Sequence, residues 1–197
     1  MELHERVTAA AGGVLPDWAC VTRGRRAHIE RVAVLLDRWG EDLELSETDR
    51  ARWRAAAYLH DALRDADPEA LRDRVPAECR AWPGPMLHGP AAAERLREEG
   101  VRDGPLLLSI SYHTLGHPEL DDLGRALYSA DFLEPGRPFL EEWRSALRAR
   151  MPRALGPVTK EIAAARIGHV VDRRQTLRNP TVAFWNVLVR ESVGAGS

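Results

Sequence analysis

Apolar residues recur at helical spacing along most of this 197-residue chain. No segment alternates apolar and polar residues in the way that a half-buried β-strand does. In residues 25–40, for example, Val32, Leu36 and Trp39 share one face of the predicted helix with His28. The chain is therefore predicted to be all-α.

Glycine, proline and capping residues divide the chain into separate helices. The predicted helices cover about residues 25–40, 46–63, 87–99, 105–113, 118–133, 138–151, 157–177 and 180–192. Ser46 or Thr48 is expected to cap the second of them. Residues 65–85, which contain prolines and Trp82, are predicted to form a short helix in a long excursion outside the core. The last four residues, GAGS, are expected to fray.

The size and composition fit one domain, residues 1–197. A chain of this length that is 44% hydrophobic can form a core without disulfides or metal. Within the domain we predict a core at about residues 25–135 and a C-terminal helical extension at about 136–192.

The charge and the cysteines exclude several classes of protein. The formal net charge is -2 and no segment is strongly basic, so no nucleic-acid partner is expected. Cys20 and Cys79 form no disulfide or metal pattern, which indicates a reducing compartment. The first ten residues do not resemble a signal peptide, and no apolar stretch is long enough to cross a bilayer. We therefore predict a cytoplasmic protein with no membrane partner.

Histidines and aspartates fall on or beside the apolar faces of the predicted helices. They are His28, His60, Asp61, His88, His113 and Asp131. A single histidine in such a place is more often a core residue than a ligand, but a buried, unpaired carboxylate is costly and needs a cation or strong donors. One or two divalent cations would neutralise the carboxylates and use every imidazole as a neutral ligand. Mixed nitrogen and oxygen ligands suit Fe, Mn, Co or Zn. The lack of cysteine among these candidate ligands argues against structural zinc.

His60 and Asp61 are neighbours in a predicted helix. Adjacent side chains on an α-helix point about 100° apart. The pair is therefore not expected to chelate one ion from the same side. Asp61, at the edge of the helix face, could instead bridge two ions.

His28, the His60-Asp61 pair and Asp131 resemble the defining motif of the HD-domain metal-dependent phosphohydrolases, an all-helical superfamily. The similarity is closest to the bacterial YqeK-type symmetrical hydrolases of diadenosine tetraphosphate. The matching segments are YLHDALR (58–64), PMLHG (85–89), SYHTLGHPELDDLGRALYSADFLEPGRPF (111–139) and NPTVAFWN (179–186). The resemblance spans about residues 25–190.

This resemblance implies an HD-domain helical bundle with additional C-terminal helices. It also implies a dinuclear metal centre whose ligands are all six histidines and aspartates named above. Iron is the metal expected first. The implied reaction is cleavage of diadenosine tetraphosphate into two ADP by a hydroxide that bridges the metals. Arg64 and Arg125 stand where the family usually has lysine, Leu120 stands where it often has methionine, and residues 65–85 match poorly.

Cations other than the metals are expected near the site, because four linked phosphates are strongly anionic. Arg64 lies one helical turn after His60 and is a candidate for phosphate binding and catalysis. Arg137 follows a Pro-Gly break just after Asp131 and is a second candidate for phosphate binding. Each could equally be a surface arginine, and Arg137 could form a salt bridge with Glu134.

The segment after His113 offers two further candidates. Thr114 could donate to a phosphate or cap the next helix. His117 could protonate the leaving group in catalysis or be a loop histidine without a role. Trp82 could stack on an adenine, whereas other tryptophans fit core packing, namely Trp39, Trp53, Trp143 and Trp185.

Other functions stay open at this point. The same centre could hydrolyse a nucleoside monophosphate, a deoxynucleoside triphosphate or a signalling nucleotide. The chain could also sense a nucleotide or a metal without turnover, although its ligand set is complete. The simplest alternative is a helical bundle whose histidines and aspartates are structural pairs. A small-molecule nucleotide is the expected partner, and a homodimer is open.

Overall fold

The computed structural model describes residues 3–194, so three residues of the GAGS tail lie outside the described part. The α-helices of this part, in chain order, are α1 (Glu5–Ala11), α2 (Arg23–Asp42), α3 (Glu47–Leu59), α4 (Pro68–Arg72), α5 (His88–Glu98), α6 (Gly104–Tyr112), α7 (Asp122–Leu133), α8 (Glu141–Arg150), α9 (Leu155–Asp172) and α10 (Asn179–Gly194). Residues 3–194 contain no β-strand, which confirms the all-α prediction.

Side-chain caps explain where α2, α3, α6 and α7 begin. In α2, α3, α6 and α7 a polar side chain accepts a hydrogen bond from the backbone amide three residues ahead. These caps are Thr22, Ser46, Asp103 and Asp121. Of the two caps predicted for α3, Ser46 is therefore the correct one and Thr48 is not.

Several predicted helix boundaries are wrong. Helix α3 ends at Leu59 instead of about Leu63, and turns follow it. Helix α7 begins at Asp122 instead of Pro118, because the Asp121 side chain caps it. Helix α9 ends at Asp172, and α1 was not predicted at all. The early end of α3 matters most, because the His60-Asp61 pair lies directly after it.

Residues 65–85 belong to the core, contrary to the prediction. They form α4 and two short 3-10 turns, Ala77–Cys79 and Gly84–Met86. Buried side chains recur every three or four residues along this segment, at Leu71, Val75, Cys79 and Trp82. The prolines interrupt the helix, but they leave this apolar side facing the rest of the core.

The tryptophans pack mainly in the core. Trp39 and Trp53 are buried, and Trp143 and Trp185 pack partly buried against the core, as predicted. Trp82 is only 8% exposed. Its ring meets the Tyr112 ring edge-on with a centroid distance of 5.8 Å. The hypothesis that Trp82 stacks on an adenine is therefore wrong, because its ring is enclosed by protein.

The helices that carry or precede the candidate site residues pack against one another. Helix α2 packs against α3, α5 against α6, and α6 against α7. The C-terminal extension packs on the core mainly through α9, which contacts both α7 and α10. These contacts confirm a helical bundle with additional C-terminal helices, while the single-domain boundary at 1–197 stays a prediction. None of the helices within residues 3–194 combines the length and the hydropathy that a membrane span requires.

Gly116 lets α10 approach the segment that follows α6. Its φ is +76°, in the left-handed region that glycine tolerates best. A Cβ at this position would lie 2.1 Å from Cδ1 of Phe184 in α10. A larger residue would therefore separate α10 from the loop next to the candidate site.

Candidate metal centre

Five segments bring the predicted metal ligands into one buried cluster. One ligand comes from α2, a pair from the turn after α3, one from the start of α5, one from the residue after α6 and one from the end of α7. In that order they are His28, His60, Asp61, His88, His113 and Asp131. Each is at most 8% exposed. The structure thus places together all six residues that were singled out in the sequence.

Asp61 lies between two pairs of imidazole rings. Its Oδ1 is 3.0 Å from Nε2 of His88 and 3.5 Å from Nε2 of His113. Its Oδ2 is 3.5 Å from Nε2 of both His28 and His60. The two oxygens of one carboxylate therefore face different rings, which is the arrangement that a bridging ligand needs.

Two overlapping groups in this cluster could each hold a divalent cation. The ligand atoms of His28, His60 and Asp131 lie within 4.8 Å of one another. The same is true of His60, Asp61 and His113. One nitrogen cannot bind two ions, so two cations would have to divide these ligands between them.

His60 and Asp61 were not expected to chelate one ion from the same side, yet both belong to one group whose ligand atoms lie within 4.8 Å of one another. The expectation assumed that both residues lie in a regular helix. Helix α3 ends at Leu59, and the chain continues in turns. His60 itself keeps helical dihedral angles, φ −58° and ψ −39°, and its amide donates to the Ala56 carbonyl. The two side chains nevertheless reach the same cluster, where His60 Nε2 lies 3.5 Å from Asp61 Oδ2.

Backbone carbonyls fix the orientation of three imidazole rings. The Nδ1 atoms of His60, His88 and His113 lie 2.6, 2.9 and 2.8 Å from the carbonyl oxygens of Ala57, Pro85 and Ile110. A carbonyl can only accept a hydrogen bond, so this partner assigns the proton to Nδ1. Each neutral ring then presents an unprotonated Nε2 to the cluster, as a metal ligand does.

The cluster contains polar atoms that a bound cation would satisfy. The Nε2 atoms of His88 and His113 are 3.1 Å apart, and with both protons on Nδ1 neither can donate to the other. The buried Nε2 atoms of His28 and His60 have no hydrogen-bond partner within residues 3–194. A divalent cation with nitrogen and oxygen ligands fits this donor set.

The pKa values of His60 and of the two aspartates match this interpretation, whereas His28 would have to lose a proton to bind a cation. Burial lowers the pKa of His60 to about 4, so that this ring is neutral near pH 7. Burial also lowers the pKa of His28, but Asp131 and Glu134 outweigh this effect and raise it to about 8. Burial raises the pKa of Asp61 and Asp131, yet the surrounding imidazoles, and arginines near Asp131, keep both well below the usual value. Both aspartates are therefore carboxylates.

Glu134 holds the fourth ring and was missed as a site residue. Its Oε1 lies 3.2 Å from Nδ1 of His28. Its Oε2 accepts hydrogen bonds from the Gly136 amide, at 2.7 Å, and from Arg31. The predicted pairing of Glu134 with Arg137 is also present, at 3.7 Å. Glu134 is only 1% exposed, so it does for His28 what the carbonyls do for the other rings.

Three arginines contact the aspartates of the cluster. Arg25 Nη1 is 2.7 Å from Asp61 Oδ2. Arg137 Nη2 is 2.6 Å from Asp131 Oδ1, and Arg166 Nη2 is 3.0 Å from Asp131 Oδ2. Arg137 was a predicted site residue, whereas Arg25 and Arg166 were missed. No sequence signal separates these two from the many other arginines of the chain.

Arg64 lies beside the cluster. Its amide donates to the Asp61 carbonyl at 3.0 Å, in the turn that follows α3. Arg64 is half-buried, and its guanidinium has no carboxylate within 4 Å among residues 3–194. Burial lowers the pKa of His88, and the positive charge of Arg64 lowers it further. Arg64 is thus an uncommitted cation next to the candidate ligands.

Thr114 and His117 lie in the loop between α6 and α7. Thr114 Oγ1 is 3.1 Å from His113 Nε2, and the cap of α7 is Asp121, so the alternative in which Thr114 caps this helix is wrong. His117 Nδ1 accepts a hydrogen bond from the Glu119 amide at 3.2 Å. Burial lowers the pKa of His117.

Gly89 explains how two histidines from different helices can meet. A Cβ at this position would lie 2.7 Å from the Ile110 carbonyl, 2.9 Å from the Ser111 carbonyl and 3.2 Å from the ring of His113. Only glycine allows α5 to come so close to the end of α6. The His88-Gly89 dipeptide therefore brings His88 next to His113.

Comparisons with known proteins agree with this geometry. The model of the family described as HD domain matches residues 25–136. The symmetrical bis(5'-nucleosyl)-tetraphosphatase of Bacillus subtilis (strain 168) is 31% identical over 129 residues, which cover 61% of this chain and 66% of that protein. The protein of the same name from Halalkalibacterium halodurans is 26% identical over 156 residues, which cover 75% of this chain and 81% of that protein.

One solved structure shows the same fold. It is a crystal structure described as a predicted HD superfamily hydrolase involved in NAD metabolism, from Clostridium acetobutylicum. The TM-score is 0.77 at 23% identity, with 97% of this chain and 99% of that chain covered. The family match spans more than half of the sequence and includes all six clustered histidines and aspartates. The chain belongs to the HD domain family.

Proposed function

We propose that this protein is a metal-dependent phosphohydrolase that cleaves diadenosine tetraphosphate symmetrically into two ADP. The main support is the position of Asp61, whose two oxygens face different imidazoles within one buried cluster. The substrate is suggested by relatives that are 25–31% identical and are named symmetrical bis(5'-nucleosyl)-tetraphosphatases.

All six histidines and aspartates of the cluster would hold two divalent cations, with Asp61 as the bridge. Iron is the first choice, and Mn, Co and Zn are the alternatives. Bound there, divalent cations supply positive charge to phosphate oxygens and lower the pKa of a water molecule. The fixed Nδ1 contacts of the rings keep each Nε2 in place, so little rearrangement of the imidazole rings is needed for binding.

Side chains around the cluster would bind the phosphates. Arg64 has a guanidinium without a carboxylate partner in the described part of the chain, next to Asp61. Arg137 has a side chain that is 32% exposed, so it can turn from Asp131 to a phosphate oxygen. The Thr114 hydroxyl lies beside His113 and can donate to the same group.

His117 is proposed as the residue that protonates the leaving group. Its Nδ1 accepts from a backbone amide, so any proton given to substrate would come from Nε2. Because burial lowers the pKa of His117, a smaller fraction of the ring is protonated at neutral pH, but that fraction is a stronger acid. Asp61 and Arg64 complete the proposed catalytic set.

The proposed partner is thus a small nucleotide. The protein is further proposed to lie in the cytoplasm, without a nucleic-acid or membrane partner, and the homodimer stays open. Light scattering coupled to size-exclusion chromatography would measure the oligomeric state.

The test is product analysis. Metal-loaded protein is incubated with diadenosine tetraphosphate, and the products are separated by chromatography, with Asp61→Asn as the control. Symmetrical cleavage gives ADP alone, and the variant should be inactive. ATP together with AMP would contradict the symmetrical reaction.

The competing functions give other results in the same assay. Survival of diadenosine tetraphosphate while a nucleoside monophosphate, a deoxynucleoside triphosphate or a signalling nucleotide is consumed would favour a different HD phosphohydrolase. Nucleotide binding without turnover would favour a sensor. Protein without metal, in which His60→Ala affects only stability, would favour a purely structural cluster.

A further inference from the structure

Arg166 reaches the candidate metal centre from outside the segment that matches the HD domain. It lies in α9, beyond residue 136 where the family match ends. Its Nη2 donates to Asp131 Oδ2 at 3.0 Å, and its Nη1 donates to the Thr114 carbonyl at 2.9 Å. One guanidinium thus joins α7 to the backbone of the residue that follows His113.

Aromatic rings of α7 hold this guanidinium in place. Arg166 Cζ lies 4.4 Å from the centre of the Tyr128 ring and 5.3 Å from that of the Phe132 ring. The side chain of Arg166 is 19% exposed. A planar guanidinium packed on rings and bound at two nitrogens keeps a fixed orientation, which an ammonium group cannot reproduce.

The two arginines that contact Asp131 have different places. Arg137 binds Oδ1, which is also the oxygen 3.3 Å from His28 Nε2, and it comes from the loop after α7. Arg166 binds the other oxygen, Oδ2. Arg166 can therefore keep its hydrogen bond while Oδ1 serves the cluster, whereas Arg137 occupies the oxygen that a cation would use.

We propose that Arg166 is a positioning residue of the metal centre, which fixes the Asp131 carboxylate and the backbone after His113 in one mutual arrangement. The proposal rests on Asp131 and His113 acting as ligands, as proposed above. The C-terminal extension then contributes to the geometry of the metal centre, in addition to packing against the bundle.

Charge and geometry make opposite demands at this position. The positive charge of Arg166 repels a bound cation, so charge alone would make its removal strengthen metal binding. Loss of the partner that orients a ligating carboxylate typically weakens metal binding by about 10- to 100-fold. Arg166→Lys separates the two effects, because it keeps the charge and removes the paired hydrogen bonds.

The experiment measures Mn²⁺ binding to metal-free protein by calorimetry and by electron paramagnetic resonance, with no nucleotide present. Arg166→Lys is compared with Arg150→Lys, a matched control in the exposed pair between Arg150 and Glu161, whose atoms are 2.8 Å apart. The Tm of each metal-free variant is recorded first. We expect Mn²⁺ affinity to fall by about tenfold or more in Arg166→Lys and to stay unchanged in the control.

Unchanged Mn²⁺ affinity in folded Arg166→Lys would overturn the proposal, even if its Tm is lower, because a purely structural contact affects only Tm. If the lysine variant does not fold, Arg166→Gln gives the answer. Loss of charge alone would make it bind Mn²⁺ more tightly, whereas lost positioning makes it bind more weakly. A wrong choice of nucleotide substrate leaves these results unaffected, so the two proposals fail separately.

Discussion

At the candidate centre, the orientation of each imidazole ring is set by an oxygen atom that accepts a hydrogen bond from its Nδ1. Three rings are held by carbonyls three residues earlier in the chain, and His28 is held by Glu134. The four histidines and two aspartates could be identified in the sequence because they fall on apolar helix faces and match a known motif. Glu134, Arg25 and Arg166 could not, since their roles depend on contacts between distant segments.

Replacing Gly89 by a larger residue is predicted to destabilise the fold. Gly89→Ala should lower the free energy of unfolding by about 1–3 kcal/mol, because the new methyl group overlaps the backbone at the end of α6. The control is Gly168→Ala in α9, where a Cβ would have no neighbour within 4 Å. That change should raise stability by up to about 1 kcal/mol, because alanine favours a helix more than glycine does. Urea unfolding measures both, and equal effects would contradict the close approach.

The two cysteines are predicted to differ in reactivity. Cys20 is exposed, whereas Cys79 is buried and its burial raises the pKa of the thiol to about 12. The thiolate is the reactive form, so at pH 8 only Cys20 should react with a disulfide reagent in folded protein. Both should react after denaturation. Rapid labelling of Cys79 in the folded state would show that residues 65–85 do not form part of the core.

At the level of helices and loops, helix existence could be predicted better than helix ends. The apolar spacing indicates α2, α5 and α10 to within a few residues. It does not show that α3 stops at Leu59. It also cannot show where α7 begins, because the Asp121 side chain decides that limit locally.

The loop after α7 depends on Arg144, which is 0% exposed. Its guanidinium donates to several carbonyls of the segment that carries Glu134 and Arg137, namely those of Phe132, Glu134, Arg137 and Phe139. Arg144→Met should leave these buried carbonyls unpaired and cost about 3 kcal/mol or more. The loop itself should also loosen.

Limited proteolysis tests this effect on the loop. Phe139 is 41% exposed, and chymotrypsin should cut after it faster in Arg144→Met than in the wild type. The exposed Arg173→Met is the control and should be cut at the wild-type rate. Equal rates in all three proteins would mean that Arg144 does not order the loop.

At the level of the whole molecule, metal binding should stabilise the fold, because the ligands come from five segments of the chain. A cation that binds only the folded state at 100 times its Kd adds about 2.7 kcal/mol to stability. Mn²⁺ should therefore raise Tm in wild-type protein and much less in His60→Ala. Mg²⁺, which prefers oxygen ligands, should have a smaller effect. A Tm that does not respond to Mn²⁺ would indicate that the cluster is structural.

The central claim is that six side chains from five segments of the chain together hold two divalent cations. Anomalous diffraction from a crystal grown with Mn²⁺ tests it most directly. The account predicts two Mn²⁺ peaks within the cluster, with Asp61 contacting both. Diffraction that shows Mn²⁺ only outside the cluster, or none bound, would contradict it.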